Sequence, residues 1–130
     1  PIPLQDRMEI IRIAGYTEAE KLAIARKYLV SKQQEANGLT EGCLDITEGA
    51  IRKMIQRYTR EAGVRELERT IANVCRKTAR RIVKEGNDVK VKMTPSNVTK
   101  MLGPEKYRHG RVEENDTVGI CTGLAWTEMG

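Results

Sequence analysis

Phenylalanine is absent from this chain of 130 residues, and aromatic residues make up only 4% of it. The core must therefore be filled by aliphatic side chains and methionine. Hydrophobic residues account for 39% and charged residues for 32% of the sequence. That balance is typical of a helical protein whose outer faces are solvated. The length is enough for one domain and hardly for two.

Cysteine and histidine are scarce and scattered along the chain. Cys43, Cys75 and Cys121 form no CxxC pair and His109 is the only histidine, so no metal site is expected. The odd number of cysteines and the lack of a signal segment favour a reducing cytoplasm. All apolar runs are too short to span a bilayer, so no membrane partner is expected.

Two catalytic signatures are missing as well. The sequence has no glycine-rich loop ending in Gly-Lys-Ser or Gly-Lys-Thr, the backbone cradle that holds a nucleoside triphosphate. The only serines are Ser31 and Ser96, and neither lies in a context typical of a nucleophile. We therefore predict that the chain by itself has no catalytic residue, no enzymatic activity and no bound cofactor.

Helical signals dominate what is present. Thr17 and Glu20 form a capping box, in which each side chain accepts a hydrogen bond from the other residue's backbone N–H. Apolar side chains then recur at helical spacing in four segments. We predict that the second helix ends near Ala62 and that Gly63 turns the chain in the left-handed region. The four predicted helices cover residues 17–36, 47–62, 64–85 and 94–102.

Two short segments, residues 44–46 and 89–91, have the composition of strands. Helices lie between them in sequence, which permits parallel pairing. The predicted fold is therefore mainly α, of the α+β class, with four helices and a minor two-stranded parallel sheet. Beyond Gly103, residues 105–117 are predicted to be a polar linker, and residues 118–126 a strand without its sheet.

Arg65 lies in the first turn of the third predicted helix. The positive end of the helix dipole disfavours a cation there. The same place suits a guanidinium that helps to hold an anion such as a phosphate, beside N–H groups without intrahelical partners. The alternative is that Arg65 forms surface ion pairs with the carboxylates nearby, which are Glu61, Glu66 and Glu68.

A stripe of cations follows the same helix. At about 100° per residue, its four arginines fall within about 60° of one another, and a lysine extends the row. We call this set the basic stripe; it consists of Arg65, Arg69, Arg76, Arg80 and Lys84. The net charge of +5 is compatible with either a solvated face or a surface that follows DNA phosphates. No aromatic residue is interleaved, so any DNA binding should be weak, salt-sensitive and independent of sequence.

The stretch YTREAGVRELER, from Tyr58 to Arg69, resembles the sensor-2 motif of the Lon family, which are ATP-dependent serine proteases with an AAA+ motor. Three other stretches agree in order and spacing: PLQDRME from Pro3, GYTEAEKL from Gly15 and GLAWTE from Gly123. The resemblance covers nearly the whole chain. It implies a four-helix AAA+ small (lid) subdomain at residues 16–103. Residues 1–15 would end the large subdomain, and residues 104–130 would be a flexible linker and the start of the protease domain.

The resemblance also implies roles for single residues. Arg65 would be the sensor-2 arginine, which contacts the phosphates of the ATP that the large subdomain holds together with Mg²⁺. Arg7 would be the arginine finger, acting on the nucleotide of a neighbouring subunit, with a surface pair to Asp6 or Glu9 as the alternative. Val64 would form one wall of the adenine-binding site; the alternative is that it is only a core residue.

The protein that this resemblance implies is a cytoplasmic homo-hexamer that unfolds and degrades damaged or regulatory proteins. Its partners would be the large AAA+ subdomain and protease domain of the same chain, the neighbouring subunits and the protein substrates. The sequence opens with Pro1 instead of methionine, which suits a piece of such a protein. The competing hypothesis is a basic helical module that binds DNA non-specifically.

Overall fold

Four helical rods and a small sheet form the described part of the chain. The computed structural model describes residues 14–40, 42–86 and 90–107, with the single positions 8, 9 and 119. The predicted class, mainly α with a minor two-stranded parallel sheet, is confirmed. The elements are α1 (Glu18–Ile24), a π-helical segment (Ala25–Leu29), α2 (Val30–Ala36), β1 (Leu44–Ile46), α3 (Glu48–Tyr58), α4 (Arg65–Glu85), β2 (Val91–Met93) and α5 (Pro95–Leu102).

The two strands pair in parallel, with Leu44 opposite Val91 and Ile46 opposite Met93. The prediction of a strand at residues 89–91 was wrong by two positions. Side chains alternate across a strand with a period of two, so a shift by two residues keeps the same faces and leaves the sequence pattern unchanged. Met93 decides the actual position, because its side chain is fully buried in the core.

The ends of the helices follow local chemistry. The capping box is confirmed: the Thr17 hydroxyl accepts from the Glu20 N–H, and the Glu20 carboxylate accepts from the Thr17 N–H. The prediction that the second helix ends near Ala62 was wrong, because α3 ends at Tyr58 and Thr59 is already extended. The Thr59 hydroxyl donates to the Ile55 carbonyl at 2.9 Å, which takes up one of the last acceptors of the helix.

Gly63 is not in the left-handed region, so that prediction was also wrong. The reversal between α3 and α4 is spread over residues 59–64 and is held by the contacts described below. The glycines after α4 and α5 do adopt positive φ, at 106° for Gly86 and 90° for Gly103, and both helices stop there.

Helix α3 lies at the centre and packs against α1, α4 and α5. Its buried face meets the apolar face of α4 in a core of aliphatic and methionine side chains, as the composition predicted. Cys75 belongs to this core, and burial raises the pKa of its thiol to about 11. The fully buried side chains include Ile51, Met54, Tyr58, Leu67, Ile71, Val74, Met93 and Val98.

The chain beyond α5 turns back onto α3. The Tyr58 hydroxyl donates to the Gly103 carbonyl at 2.7 Å. The N–H groups of Lys106 and Tyr107 both donate to the Arg57 carbonyl at 3.0 Å. These bonds satisfy groups at the end of α3 and hold residues 103–107 against that end.

Several predictions fall on residues outside the described ranges. They concern Arg7, His109, Cys121 and the strand at residues 118–126. Within the described ranges, no helix is long and apolar enough to cross a membrane. In the same part of the chain, no three His, Cys, Asp or Glu side chains are grouped so that they could hold a metal ion.

Candidate functional site

Arg65 is the first residue of α4, and its side chain is exposed. Among the described residues, no hydrogen bond or ion pair to its guanidinium is found. Val64, the residue before it, is half-buried and packs against the core. The backbone at Val64 is therefore fixed from inside, while the arginine beside it points out of the helical body.

The carboxylates that were candidate partners of Arg65 are engaged elsewhere. The Glu66 carboxylate accepts from the Arg60 N–H at 2.9 Å. Glu68 lies 2.9 Å from the ammonium of Lys32, which holds the pKa of the Glu68 carboxyl below its usual range despite partial burial. Surface pairing of Arg65 with these groups is therefore not the arrangement found.

Glu61 caps α4 through its side chain. One carboxylate oxygen accepts from the Glu66 N–H and the other from the Leu67 N–H, both at 2.8 Å. A negative charge at this end also complements the helix dipole. Because Glu61 already occupies the first turn, an anion at Arg65 would be bound by the guanidinium and not by these N–H groups. No local pattern predicts this cap, because Glu61 precedes the helix by four residues, whereas a capping side chain is usually expected one residue before it.

The loop that carries Glu61 is held by residues in α1 and just before it. The Lys21 ammonium donates to the Glu61 carbonyl, and the Tyr16 N–H donates to the Ala62 carbonyl at 2.9 Å. Gly15 lies so close that a Cβ built on it would be 3.1 Å from the Ala62 Cβ. Two consecutive carbonyls of the loop are therefore fixed by residues 40 and 46 positions away in sequence.

Lys21 is itself buried, with 9% of its surface exposed. It lies four residues before Ala25 and eight before Leu29, on the face of the first rod that enters the core. A lysine at a core position of an amphipathic helix is the signal in the sequence that could have identified this residue.

The basic stripe is exposed throughout α4. Arg69 and Arg76 line a cleft of about 370 Å³ between α4 and the segment after α5, where Lys106 faces them. Thr70 and Asn73 add polar groups to the same cleft. Arg80 and Lys84 lie further along the helix, outside the cleft, so the stripe is not one uniform surface.

Two protein-family models match the chain. Residues 35–91 match the AAA+ ATPase lid domain of Lon protease, and residues 92–130 match the C-terminal proteolytic domain (S16) of Lon protease. The first of these matches spans the loop at Glu61 and the whole of α4.

Curated relatives and a solved structure agree with the family models. Lon protease 1 of Myxococcus xanthus is 59% identical over 133 residues, and Lon protease 3 of Sorangium cellulosum is 55% identical over 130 residues. Each match covers 100% of this chain and 16% of the relative. The structure of the SSD domain of Bacillus subtilis Lon protease is 43% identical, with a TM-score of 0.59, and the match covers 74% of this chain and 100% of that domain.

Proposed function

The chain belongs to the Lon protease family, and from this premise we propose that it is the small helical subdomain of the ATPase module in an ATP-dependent serine protease. It spans 16% of the length of the curated relatives it matches. The activity of the whole protein, degradation of damaged or regulatory proteins by a cytoplasmic hexamer, is therefore part of the proposal. So are the other domains and subunits as partners.

Within this proposal, Arg65 is the sensor-2 arginine. The observation that carries it is an exposed guanidinium at the start of a rigid helix, beside carboxylates that are already engaged by other donors. A guanidinium keeps its charge at any physiological pH and offers five N–H donors in a fixed plane. Such a group is suited to bind the terminal phosphate of a nucleotide and to stabilise the charge that develops during its transfer.

The residues present fit ATP only as contributors to a site. No phosphate-binding loop occurs in the sequence, so the large subdomain would hold ATP and Mg²⁺, and ATP would supply the bond that is cleaved. Arg65 would then add one cationic contact from a separate rigid body. Because that contact depends on the terminal phosphate, it would link the phosphate state to the angle between the subdomains.

Two further assignments rest on the resemblance. Arg7 would act as the arginine finger on the nucleotide of a neighbouring subunit, and it lies outside the described residues. Val64 would wall the adenine; its packing against the core also fits a purely structural valine. DNA binding by the basic stripe has no counterpart in the names of the relatives, and it stays a prediction.

A chimera tests the role of Arg65. In this chimera, the present chain replaces the matching stretch of Lon protease 1 from Myxococcus xanthus. We expect Arg65→Ala to lower the kcat of ATP hydrolysis by about 10²–10³-fold, the usual effect of removing one donor aimed at developing charge. The stability of the 130-residue chain should change by less than about 0.5 kcal/mol, because the side chain is exposed.

Arg81 provides the matched control. It lies on the same helix, is exposed, and pairs with Glu85 at 2.9 Å. Arg81→Ala should leave kcat unchanged. A chimera that does not hydrolyse ATP, or one in which Arg65→Ala has the same kcat as Arg81→Ala, would contradict the proposed function.

A further inference from the structure

We propose that Lys21 and Glu61 are positioning residues for Arg65. Together they form what we call the clamp: the Lys21 ammonium holds the Glu61 backbone, and the Glu61 carboxylate holds the first turn of α4. The inference rests on the proposed function of Arg65, because the clamp acts only through the position of that guanidinium.

Burial of Lys21 calls for an explanation. Removing a charged amine from water is unfavourable, and long basic side chains usually extend their charge to the solvent. Lys21 instead ends on a backbone carbonyl, and no ion pair to it is found among the described residues. A methionine at this position would fill similar space without that cost. The ammonium is therefore better explained by its bond to the Glu61 carbonyl than by a contribution to core stability.

Glu61 connects two parts of the molecule through two different groups. Its carbonyl receives the Lys21 ammonium, and its carboxylate receives the N–H groups of Glu66 and Leu67 at 2.8 Å. These are the two residues that follow Arg65 in the first turn of α4. From α1 to the backbone beside Arg65, the path is thus two hydrogen-bonded steps.

The clamp also includes the point where the chain enters the domain. The Tyr16 N–H bonds the carbonyl of Ala62, the residue next to Glu61, and Gly15 packs against the same residue. The first turn of α4 is therefore fixed to residues 15–16 and to α1. In the proposed function these residues follow the large subdomain, so a movement there would be passed to Arg65 without a flexible loop between.

The clamp would affect catalysis because the rate depends on where the Arg65 guanidinium lies. A displacement of about 1 Å in a group that contacts the reacting atoms lowers the rate by up to about 100-fold. The first turn of a helix tends to fray when its N–H groups lack a cap. Loss of the clamp would widen the range of positions that the Arg65 guanidinium occupies, while the core below it stays packed.

The test measures ATP hydrolysis by the chimera carrying Lys21→Met, Glu61→Gln, Arg65→Ala, or Lys21→Met combined with Arg65→Ala. Lys21→Met removes the ammonium and keeps an unbranched chain. Glu61→Gln leaves one acceptor oxygen for two N–H groups. Each of these two changes should lower kcat between about 10-fold and 100-fold, with the KM for ATP near its wild-type value.

The double variant separates positioning from stability. If Lys21 acts through Arg65, adding Lys21→Met to Arg65→Ala should cause no further loss of kcat. The melting temperature of the 130-residue chain with Lys21→Met should stay within about 4 °C of wild type. Lys27→Met is the control, since Lys27 is exposed on the same rod and outside the clamp, and its kcat should not change.

Each failure has its own pattern. An unchanged kcat in Arg65→Ala would refute the proposed function. A large loss in Arg65→Ala with no loss in either Lys21→Met or Glu61→Gln would refute the clamp alone. An equal loss from Lys21→Met with and without Arg65 would also refute it, because the lysine would then act independently. Should Lys21→Met not fold, the same comparison made with Glu61→Gln, alone and combined with Arg65→Ala, decides the question.

Discussion

Thr78 offers a sharp test of how the core is stabilised. It lies in the middle of α4 and is fully buried, and among the described residues its hydroxyl has no hydrogen-bond partner. Thr70, two turns earlier on the same helix, has a satisfied hydroxyl that donates to the Glu66 carbonyl at 2.8 Å. Valine has nearly the shape of threonine and a similar helix propensity. The same substitution at the two positions should therefore have opposite effects.

The expected magnitudes follow from these surroundings. A buried polar group without a partner costs about 1–3 kcal/mol, and Thr78→Val removes that cost while filling the same space. We expect the free energy of unfolding to rise by about 1–2 kcal/mol, which for a domain of this size raises Tm by about 4 °C or more. Thr70→Val should instead lower the free energy of unfolding by about 0.5–1 kcal/mol, because it removes a bond already formed.

Urea unfolding of the 130-residue chain at neutral pH, followed by circular dichroism, measures both changes. The m-value should be the same in both variants and the wild type, so that midpoints compare stabilities directly. A loss of stability in Thr78→Val equal to that in Thr70→Val would refute the reasoning. It would mean that the Thr78 hydroxyl is satisfied, for instance by a water or by a carbonyl one turn back in the helix.

Two more predictions concern charge. Lys32 lowers the pKa of Glu68 in the folded chain. The pair therefore stabilises the fold at pH values above the ordinary glutamate pKa of about 4.3, and this stabilisation is lost as the pH falls through the lowered pKa. On acidification from neutral pH, melting curves should show a smaller loss of Tm in Glu68→Gln than in the wild type. Binding of duplex DNA through the stripe arginines Arg69, Arg76 and Arg80 should be weak. If three phosphates are contacted, the affinity should fall about 40-fold between 50 and 200 mM salt. In a fluorescence titration, an affinity that persists at the higher salt would contradict phosphate contacts as the source of binding.

Features with a local cause could be predicted from the sequence. The start of α1 depends on Thr17 and Glu20, which are three residues apart, and the stops at Gly86 and Gly103 depend on a single backbone conformation each. The apolar periodicity of α4 likewise identified its buried face. The exposed position of Arg65 in the first turn followed from the same reasoning.

Features that depend on distant residues could not be predicted in this way. The hydrogen bond between Lys21 and Glu61 joins positions 40 apart in sequence, and no pattern in the sequence near either residue predicts it. The end of α3 depends partly on the bond from Tyr58 to Gly103, 45 positions away. The position of β2 was ambiguous because the alternation of side chains is the same after a shift by two, and only the burial of Met93 resolves it.

The π-helical segment in the first rod has a consequence for chain length. Within Ala25–Leu29 the Val30 N–H bonds the Ala25 carbonyl five residues back instead of four, so this single turn contains an inserted residue. The extra residue rotates α1 by about 100° relative to α2, and the two halves face different neighbours, α3 and α4. Deleting any one residue of this segment would turn the amine of Lys21 away from Glu61 without altering either side chain. Insertions and deletions are usually tolerated in surface loops, but here they would rotate one half of the helix relative to the other.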